Sequence, residues 1–351
     1  MRFSIVIPVY NAGKLALNMI DKVLDQGFED FEIIAVDDKS TDDTAALLKS
    51  YEGKDKRLTI VFKDENSGPA LTRNEGLKHV KGEYVLFFDC DDDIEKDLLL
   101  RLNEAIEKNG ADLIIYGHSE RYYKGDKLIN CVDISMDPCF VPDREKIRKM
   151  LLPLERKTML GYPWNKAYKR SIISEANLSF ENVNMIEDFL FNVDFYKKIS
   201  SLEIIEGYPY KYNIRNTNSV TALFRKDYFI LHERRVKVLL ESLKELDVND
   251  EKSVNDISLI YARYLLSAIS RNCDKRSGMD ASGQRKWLEN VFESPLFCKL
   301  SNYMNSDNPK LEKIVSAFKN KDISKSLRYG KMAYFVKTKC SKIFSKLKQN
   351  R

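Results

Sequence analysis

The N-terminal third of the chain alternates short apolar runs with amphipathic stretches. Phe3 to Pro8, Phe31 to Val36, Leu58 to Phe62 and Tyr84 to Phe88 are nearly unbroken apolar runs of strand length. Such runs suit strands covered on both faces, as in a parallel sheet. Between the first two, Leu15, Met19, Ile20, Val23 and Leu24 share one helical face. Ser40 and Asp43 have capping-box spacing for a helix through Leu47 and Leu48. Asn66-Ser67-Gly68 reads as a turn, and Pro69 suits the first turn of a helix that carries Arg73 and Asn74 and stops near Gly82. A helix from about Glu95 to Lys108 and a strand from Asp112 to Tyr116 complete the alternation. The pattern predicts an α/β fold: a mostly parallel sheet wound with helices through right-handed crossovers.

The pattern changes after Gly117. Tyr122 to Lys127 reads as a hairpin turn between short strands. A helix is expected from Pro142 to about Leu152. From about Arg225 the spacing is helical, with Val236, Leu239, Leu240 and Leu243 on one face and a further helix over Ile257 to Ile269.

The chemistry concentrates where the fourth run ends. Asp89, Asp91, Asp92 and Asp93 put four carboxylates within five positions. Neighbouring carboxylates repel one another and are costly to desolvate unless neutralised. A hard divalent cation, Mg²⁺ or Mn²⁺, would neutralise them, taking one or two carboxylates together with phosphate and water. Ligands of open α/β sheets bind outside the carboxyl ends of the strands, where Asp89 and Asp91 fall. A solvated acidic turn is the bland reading of the same residues. A second acidic spot, Glu187-Asp188, lies inside the apolar segment Met185 to Phe191. Apolar surroundings raise proton affinity and suit a general base. Acids opening a helix read the same way.

Composition narrows the function classes. The three histidines and six cysteines are scattered, without metal-ligand spacing, and read as reduced thiols with no zinc centre. No G-x-G-x-x-G follows the first strand and no P-loop is present, so the common dinucleotide and ATP motifs are missing. No apolar stretch approaches the ~20 residues that span a bilayer. Pro8 and Asn11 interrupt the first run too early for a secretory signal, which predicts a cytoplasmic location. The net charge of +5 is uneven: residues 321–351 carry +9 and the preceding 320 carry −4. That distribution argues against nucleic acid as partner. Within the tail, Met332, Val336, Cys340, Ile343 and Leu347 form an apolar stripe, with Lys337, Lys339, Lys342, Lys346 and Lys348 mostly away from it. A basic amphipathic helix of this kind suits peripheral contact with the inner face of an anionic membrane; packing on the rest of the chain suits it equally.

Several segments, in order, resemble the family 2 glycosyltransferases of the GT-A fold: Ser4 to Asn11 (SIVIPVYN), Val36 to Asp42 (VDDKSTD), Thr72 to Leu77 (TRNEGL), Gly82 to Asp92, Trp164 to Arg170 (WNKAYKR) and Glu187-Asp188. The resemblance covers residues up to about 220. Its one visible departure is Lys39, where the family usually has glycine and where an extended turn would tolerate lysine. The resemblance implies inverting, β-linkage-forming transfer of a sugar from a nucleotide-diphospho-sugar, with UDP the expected nucleotide, to an acceptor hydroxyl. It places Pro8, Tyr10, Asp38, Arg73 and Asp89 on the donor side, with Tyr10 packing on the base and Asp38 accepting a base N–H. It makes Asp91 the ligand of Mn²⁺ or Mg²⁺ and Asp188 the general base, with Trp164, Lys166 and Glu187 towards the acceptor. Bacterial surface polysaccharide, capsule or lipid-linked glycan synthesis is the expected setting.

Two other classes share parts of the pattern. A sugar nucleotidyltransferase would want a Gly-rich, Arg-containing loop where Val9 to Gly13 stands. A non-catalytic nucleotide-sugar-binding module would be expected to lack the metal acid or the base. The expected organisation is a catalytic domain over 1–222, a helical region over 223–320 and a basic tail over 321–351.

Overall fold

The computed structural model describes residues 1–215 and 224–339. The chain forms two compact units, Met1–Thr217 and Asn218–Arg351. The first unit runs β1 (Phe3–Val9), α1 (Lys14–Leu24), β2 (Phe31–Asp37), α2 (Thr44–Lys49), β3 (Leu58–Phe62), α3 (Pro69–Leu77), β4 (Tyr84–Phe87), β5 (Asp93–Ile94), α4 (Leu98–Asn109), β6 (Leu113–Lys124), β7 (Lys127–Ile134), β8 (Cys139–Val141), α5 (Arg144–Arg156), β9 (Lys166–Lys169), α6 (Arg170–Glu175), α7 (Glu187–Tyr196) and β10 (Leu202–Arg215). The second is helical: α8 (Tyr228–Glu245), α9 (Glu251–Asn272), α10 (Ala281–Glu293), α11 (Pro295–Ser301), α12 (Pro309–Lys319) and α13 (Ile323–Lys339).

One sheet organises the first unit, with strand order β3-β2-β1-β4-β9-β6-β10-β5. The four N-terminal strands pair in parallel, as their apolar runs predict. β1 and β2 are buried along nearly their whole length because α1 and α3 cover opposite faces. Each fully buried Ile, Val or Phe side chain contributes about 1.5–3 kcal/mol through its removal from water. Sheet order departs from simple alternation after β4. The short strand β9 inserts antiparallel between β4 and β6, and β6 then pairs in parallel with the long β10. β9 escapes a hydrophobicity reading because two of its four residues are lysines. The hairpin at Tyr122–Lys127 is present, with β6 running on through it into β7 around Gly125 at φ 58°.

Local corrections have clear causes. Ser40 does not cap α2, whose first turn follows Asp43. Its backbone N–H and hydroxyl bond the Asp37 carboxylate instead, at 3.1 and 2.5 Å, so the serine folds the loop back on the strand end. Lys39 is not in an extended turn: its φ of 57° is left-handed, the conformation glycine adopts most cheaply. α3 ends at Leu77, earlier than Gly82, and Gly82 serves a different purpose. A Cβ there would lie 2.6 Å from the backbone of Phe3 and Ser4, so only glycine lets this segment reach β1. Gly76 does the same for α3: a Cβ would meet Val6 Cγ1 at 2.4 Å. The close approach at Gly76 sets the height of Arg73, one turn earlier on that helix.

In the second unit α13 packs on α9 along Ser326 and Gly330, and a Cβ on Gly330 would lie 2.2 Å from Ile269. Its other side leaves Met332 and Phe335 exposed. Of the expected tail stripe, Val336 is half-buried, while Cys340, Ile343 and Leu347, with Lys342, Lys346 and Lys348, lie outside the described residues. No helix among the described residues is long and apolar enough to cross a membrane.

Candidate active site

The loops after β1, β2 and β4 converge at the carboxyl edge of the parallel strands. The first two are stitched together. Asn11 N–H donates to Ser40 Oγ at 2.9 Å, and Thr41 N–H donates to Asn11 Oδ1 at 2.8 Å. This bonding holds Asn11 at φ 47° and leaves the Tyr10 ring half exposed at the rim, 49% open. Pro8 is partly buried beside it.

Asp38 is buried and already engaged by its own chain. It accepts from the backbone N–H groups of Ser67 and Gly68, at 3.0 and 2.8 Å, and from Lys63 Nζ at 2.5 Å. The carboxylate therefore shapes the turn that launches α3. Lys63 was not legible as a site residue; its only signal is its position directly after β3.

Arg73 sits at the centre. The guanidinium is nearly sealed from solvent. Its Nη1 donates to Asp188 Oδ1 at 2.8 Å and its Nη2 to Asp89 Oδ1 at 3.0 Å. Burial alone would lower its proton affinity, but Asp188 and Asp89 reverse that and hold it charged. Its guanidinium carbon lies 5.5 Å from the Phe180 ring centre. The neighbouring Asn74 clamps the same loop: its amide donates to Phe180 O at 2.7 Å and accepts from Phe180 N–H at 2.8 Å. Phe180 in turn stacks on Phe191 of α7 at 4.1 Å. Two adjacent residues of one short motif thus fix the start of α7 from two sides.

Glu187 and Asp188 open α7, so the helix-terminus reading holds geometrically and does not exclude a chemical role. Burial pushes the Asp188 carboxyl up to about 6; Arg73 works against this, Asp89 with it, and Lys166 against it. Burial, then the charge of Asp188, pushes Glu187 up to about 7. One Glu187 oxygen, Oε2, has no hydrogen-bond partner. The residue before the helix cap, Met185, has φ 74°, a costly conformation for a residue with a side chain.

The acidic turn divides its carboxylates among different tasks. Asp92 is buried, accepting from Tyr210 OH and Asn213 N–H, both at 2.8 Å. Burial, then Asp91 and Asp89, raises its carboxyl well above the usual range. Asp93 pairs with Lys22 at 2.7 Å. Asp91 faces solvent, and its backbone oxygen accepts from Asn213 Nδ2 and Arg215 Nη1 at 3.0 and 2.9 Å. Desolvation by the crowded turn, and then the charge of Asp89, raises the Asp91 carboxyl, so it lies where a positive charge would be welcome. The described residues contain no cluster of three or more metal-ligating side chains. A partly exposed Asp89 beside an exposed Asp91 suits Mg²⁺ or Mn²⁺ held by one or two carboxylates and completed by substrate phosphate.

Trp164 and Lys166 lie beneath the surface. Trp164 is stacked on Tyr210 at 4.5 Å and on Tyr162 at 4.5 Å. Lys166 Nζ donates to Met159 O, Tyr162 O and Asn165 Oδ1 at 2.6, 2.5 and 2.7 Å. Burial drives its proton affinity well down, and the charges of Asp188 and Glu155 oppose that. Neither side chain is open to a large ligand; both brace the floor next to α7. His118 packs edge-on against Trp164 at 4.7 Å, and burial lowers it to about 3, so it is neutral.

A mostly parallel sheet with acidic loops at its carboxyl edge, bridged to a partly buried carboxylate on a later helix, defines a GT-A-type fold. The sequence model described as "Glycosyl transferase family 2" matches residues 4–175, and through this segment the chain belongs to that family. Among curated relatives, the chain is 27% identical over 279 residues to the poly(ribitol-phosphate) beta-glucosyltransferase of Bacillus spizizenii, covering 78% of this chain and 41% of that protein. It is 28% identical to the uncharacterized glycosyltransferase EpsJ of Bacillus subtilis, over 63% of each. The chain therefore spans less than two thirds of these relatives' lengths. Among solved structures, Staphylococcus aureus TarS 1–349 in complex with UDP-GlcNAc superposes with a TM-score of 0.65 at 22% identity, covering 94% of this chain and 90% of that one. That likeness carries the fold.

Proposed function

We propose that this protein is an inverting glycosyltransferase that moves a sugar from a UDP-sugar to an acceptor hydroxyl, forming a β-linkage. The observation that carries this reading is the bridge Asp89–Arg73–Asp188, which sets an acidic phosphate-side turn and a carboxylate of raised basicity on two sides of one guanidinium. Asp188, with its proton affinity lifted to about 6, is poised to take the acceptor hydroxyl's proton as the sugar carbon is attacked. Arg73 neutralises charge between the two carboxylates, while burial and the like charge of Asp89 keep Asp188 basic. On the donor side, Tyr10 supplies an open ring for the base, Pro8 supports it, and Asp38 holds the loop that frames it. Asp91, aided by Asp89, would hold Mn²⁺ or Mg²⁺, which when bound stabilises charge on the departing diphosphate. Trp164 and Lys166 act from below, shaping the acceptor side without touching it.

Residues 1–222 form the catalytic domain in this reading, with 223–320 a helical region and 321–351 a basic tail. The names of the relatives favour a cell-surface glycopolymer or other glycan acceptor. Exposed Met332 and Phe335 among Lys325, Arg328 and Lys331 on α13 support peripheral contact with an anionic inner-membrane surface, and with it a cytoplasmic site of action.

The test is a panel of nucleotide sugars, read by thermal stabilisation and by release of nucleoside diphosphate with and without Mn²⁺. Stabilisation and slow release by one UDP-sugar are expected. Stabilisation with no release or transfer under any condition would favour a binding module; release of pyrophosphate from UTP and a sugar phosphate would favour a nucleotidyltransferase.

A further inference from the structure

Four aromatic rings form one cluster below the space flanked by the acidic turn and Asp188. Trp164 lies nearly parallel to Tyr210, at 4.5 Å and 8°, and to Tyr162, at 4.5 Å and 18°. Tyr212 lies 5.4 Å from Trp164 at 27°, and its ring centre is 5.9 Å from that of Tyr162. The cluster is tied to both halves of the site. Tyr210 OH donates to Asp92 and accepts from the backbone N–H of Asp89, at 2.8 and 3.2 Å. At the other end the Tyr162 carbonyl accepts from Lys166 Nζ, and the Lys166 charge acts on Asp188.

The four rings are not equally covered. Trp164 and Tyr210 are sealed, at 2% and 0% exposure, whereas Tyr162 and Tyr212 are only partly buried. The two partly exposed rings are inclined to each other at 42°, and each packs on Trp164. Burial, followed by Tyr162 and the carboxylates of Asp92, Asp89 and Asp91, keeps the Tyr212 phenol protonated.

We propose that Tyr162 and Tyr212 form a stacking platform for the pyranose ring of a substrate sugar. This deepens the glycosyltransferase reading and rests on it. A pyranose presents an apolar face of C–H groups and a rim of hydroxyls. An aromatic face covers the first, while phenol hydroxyls and nearby carboxylates bond the second. Both rings keep part of their surface exposed beside the acidic turn while packing on the core below. The rigid stack beneath them lowers the entropic cost of holding their faces in place.

The pyranose is either the donor's sugar or the acceptor's, and binding measurements separate the two. Affinities for UDP, UDP-GlcNAc and UDP-glucose are measured by calorimetry, and binding of cellobiose and chitobiose by saturation-transfer NMR, on the wild type, Tyr162→Ala, Tyr212→Ala and the corresponding phenylalanine variants. A donor-sugar platform predicts unchanged UDP binding, with a UDP-sugar weakened roughly three- to tenfold by alanine and largely restored by phenylalanine. An acceptor platform predicts unchanged binding of all three nucleotides, with the disaccharide saturation-transfer signal abolished in the alanine variants and kept in the phenylalanine ones. If an alanine variant fails to fold, Tyr162→Leu or Tyr212→Leu fills the site without a flat face and takes its place. Unchanged binding of every probe in both substituted proteins overturns the platform. Failure of the wild type to bind UDP counts against the nucleotide-sugar reading instead, and the disaccharide arm still decides the platform.

Discussion

Arg73 Nη1 donates to Asp188 Oδ1 at 2.8 Å across 115 residues of sequence. The contact joins the third helix of the parallel core to a helix that starts after β9, and it places a charged group against the candidate base. A cation that close to a carboxylate favours its ionised form, so Arg73 sets how basic Asp188 is as well as where it lies.

Replacing Arg73 by methionine should therefore do two things. It leaves the partly exposed Asp188 and Asp89 without their counter-charge, and the cost of about 3–5 kcal/mol for breaking a fully buried pair is the upper bound of the expected destabilisation. It also raises the Asp188 carboxyl further, moving the acid limb of the pH–rate profile to higher pH. Urea unfolding and a pH–rate series check the two effects. An unchanged acid limb in a folded variant would remove Arg73 from the control of Asp188.

Asp188→Asn should keep UDP binding and lose transfer by about 10²–10⁴-fold, the usual scale for a general base. Calorimetry with UDP and initial rates with the identified donor separate binding from chemistry. Loss of UDP binding would reassign Asp188 to the donor site.

The Glu187–Asp188 pair makes stability depend on pH with a definite sign. Both carboxyls are raised in the folded state, from 3.8 to about 6 for Asp188 and from 4.5 to about 7 for Glu187. Each group binds protons more tightly folded than unfolded. Its contribution is complete below the unfolded pKa and is lost as pH rises through the folded one. The upper scale of that loss is about 1.4 kcal/mol for each pH unit separating the two pKa values. Melting temperature should fall between pH 5 and pH 8, and Glu187→Gln should flatten that fall. A wild-type curve no steeper than that of Glu187→Gln would contradict the assignment.

Asp91→Ala should abolish metal-dependent tightening of UDP binding while leaving the fold intact, because the Asp91 side chain is exposed. Titrating UDP with Mn²⁺ and with chelator reads this directly. Equal Mn²⁺ enhancement in wild type and variant would move the metal site away from Asp91.

The tail can be tested without truncating α13, whose Gly330 contact with Ile269 makes it part of the helical unit. Met332→Ser with Phe335→Ser alters two side chains that are 55% and 59% exposed. The double substitution should weaken co-sedimentation with vesicles rich in anionic phospholipid and leave melting nearly unchanged. Binding that neither the substitutions nor added salt reduces would count against α13 as a membrane contact.

The sequence by itself determined the parallel core and the addresses of its chemistry. Apolar runs as long as those of β1 and β2 must be covered on both faces, and the acids that end β2 and β4 must lie at the carboxyl edge. Glycines in motifs were legible as positions, but their reasons were not: Gly76 and Gly82 are required by Val6, Phe3 and Ser4 across the sheet. Tertiary structure alone decided the division of labour. Four neighbouring aspartates look alike in sequence; Asp92 became a buried anchor for Tyr210 and Asn213, Asp93 a partner of Lys22, and Asp91 the open carboxylate. Trp164 and Lys166, expected towards the acceptor, are drawn inward, because β9 is inserted antiparallel between β4 and β6, an arrangement no local periodicity encodes. The basicity of Asp188 likewise depends on burial and on charges brought from α3 and β4. Proton affinity is a property of surroundings, and surroundings exist only once the chain has folded.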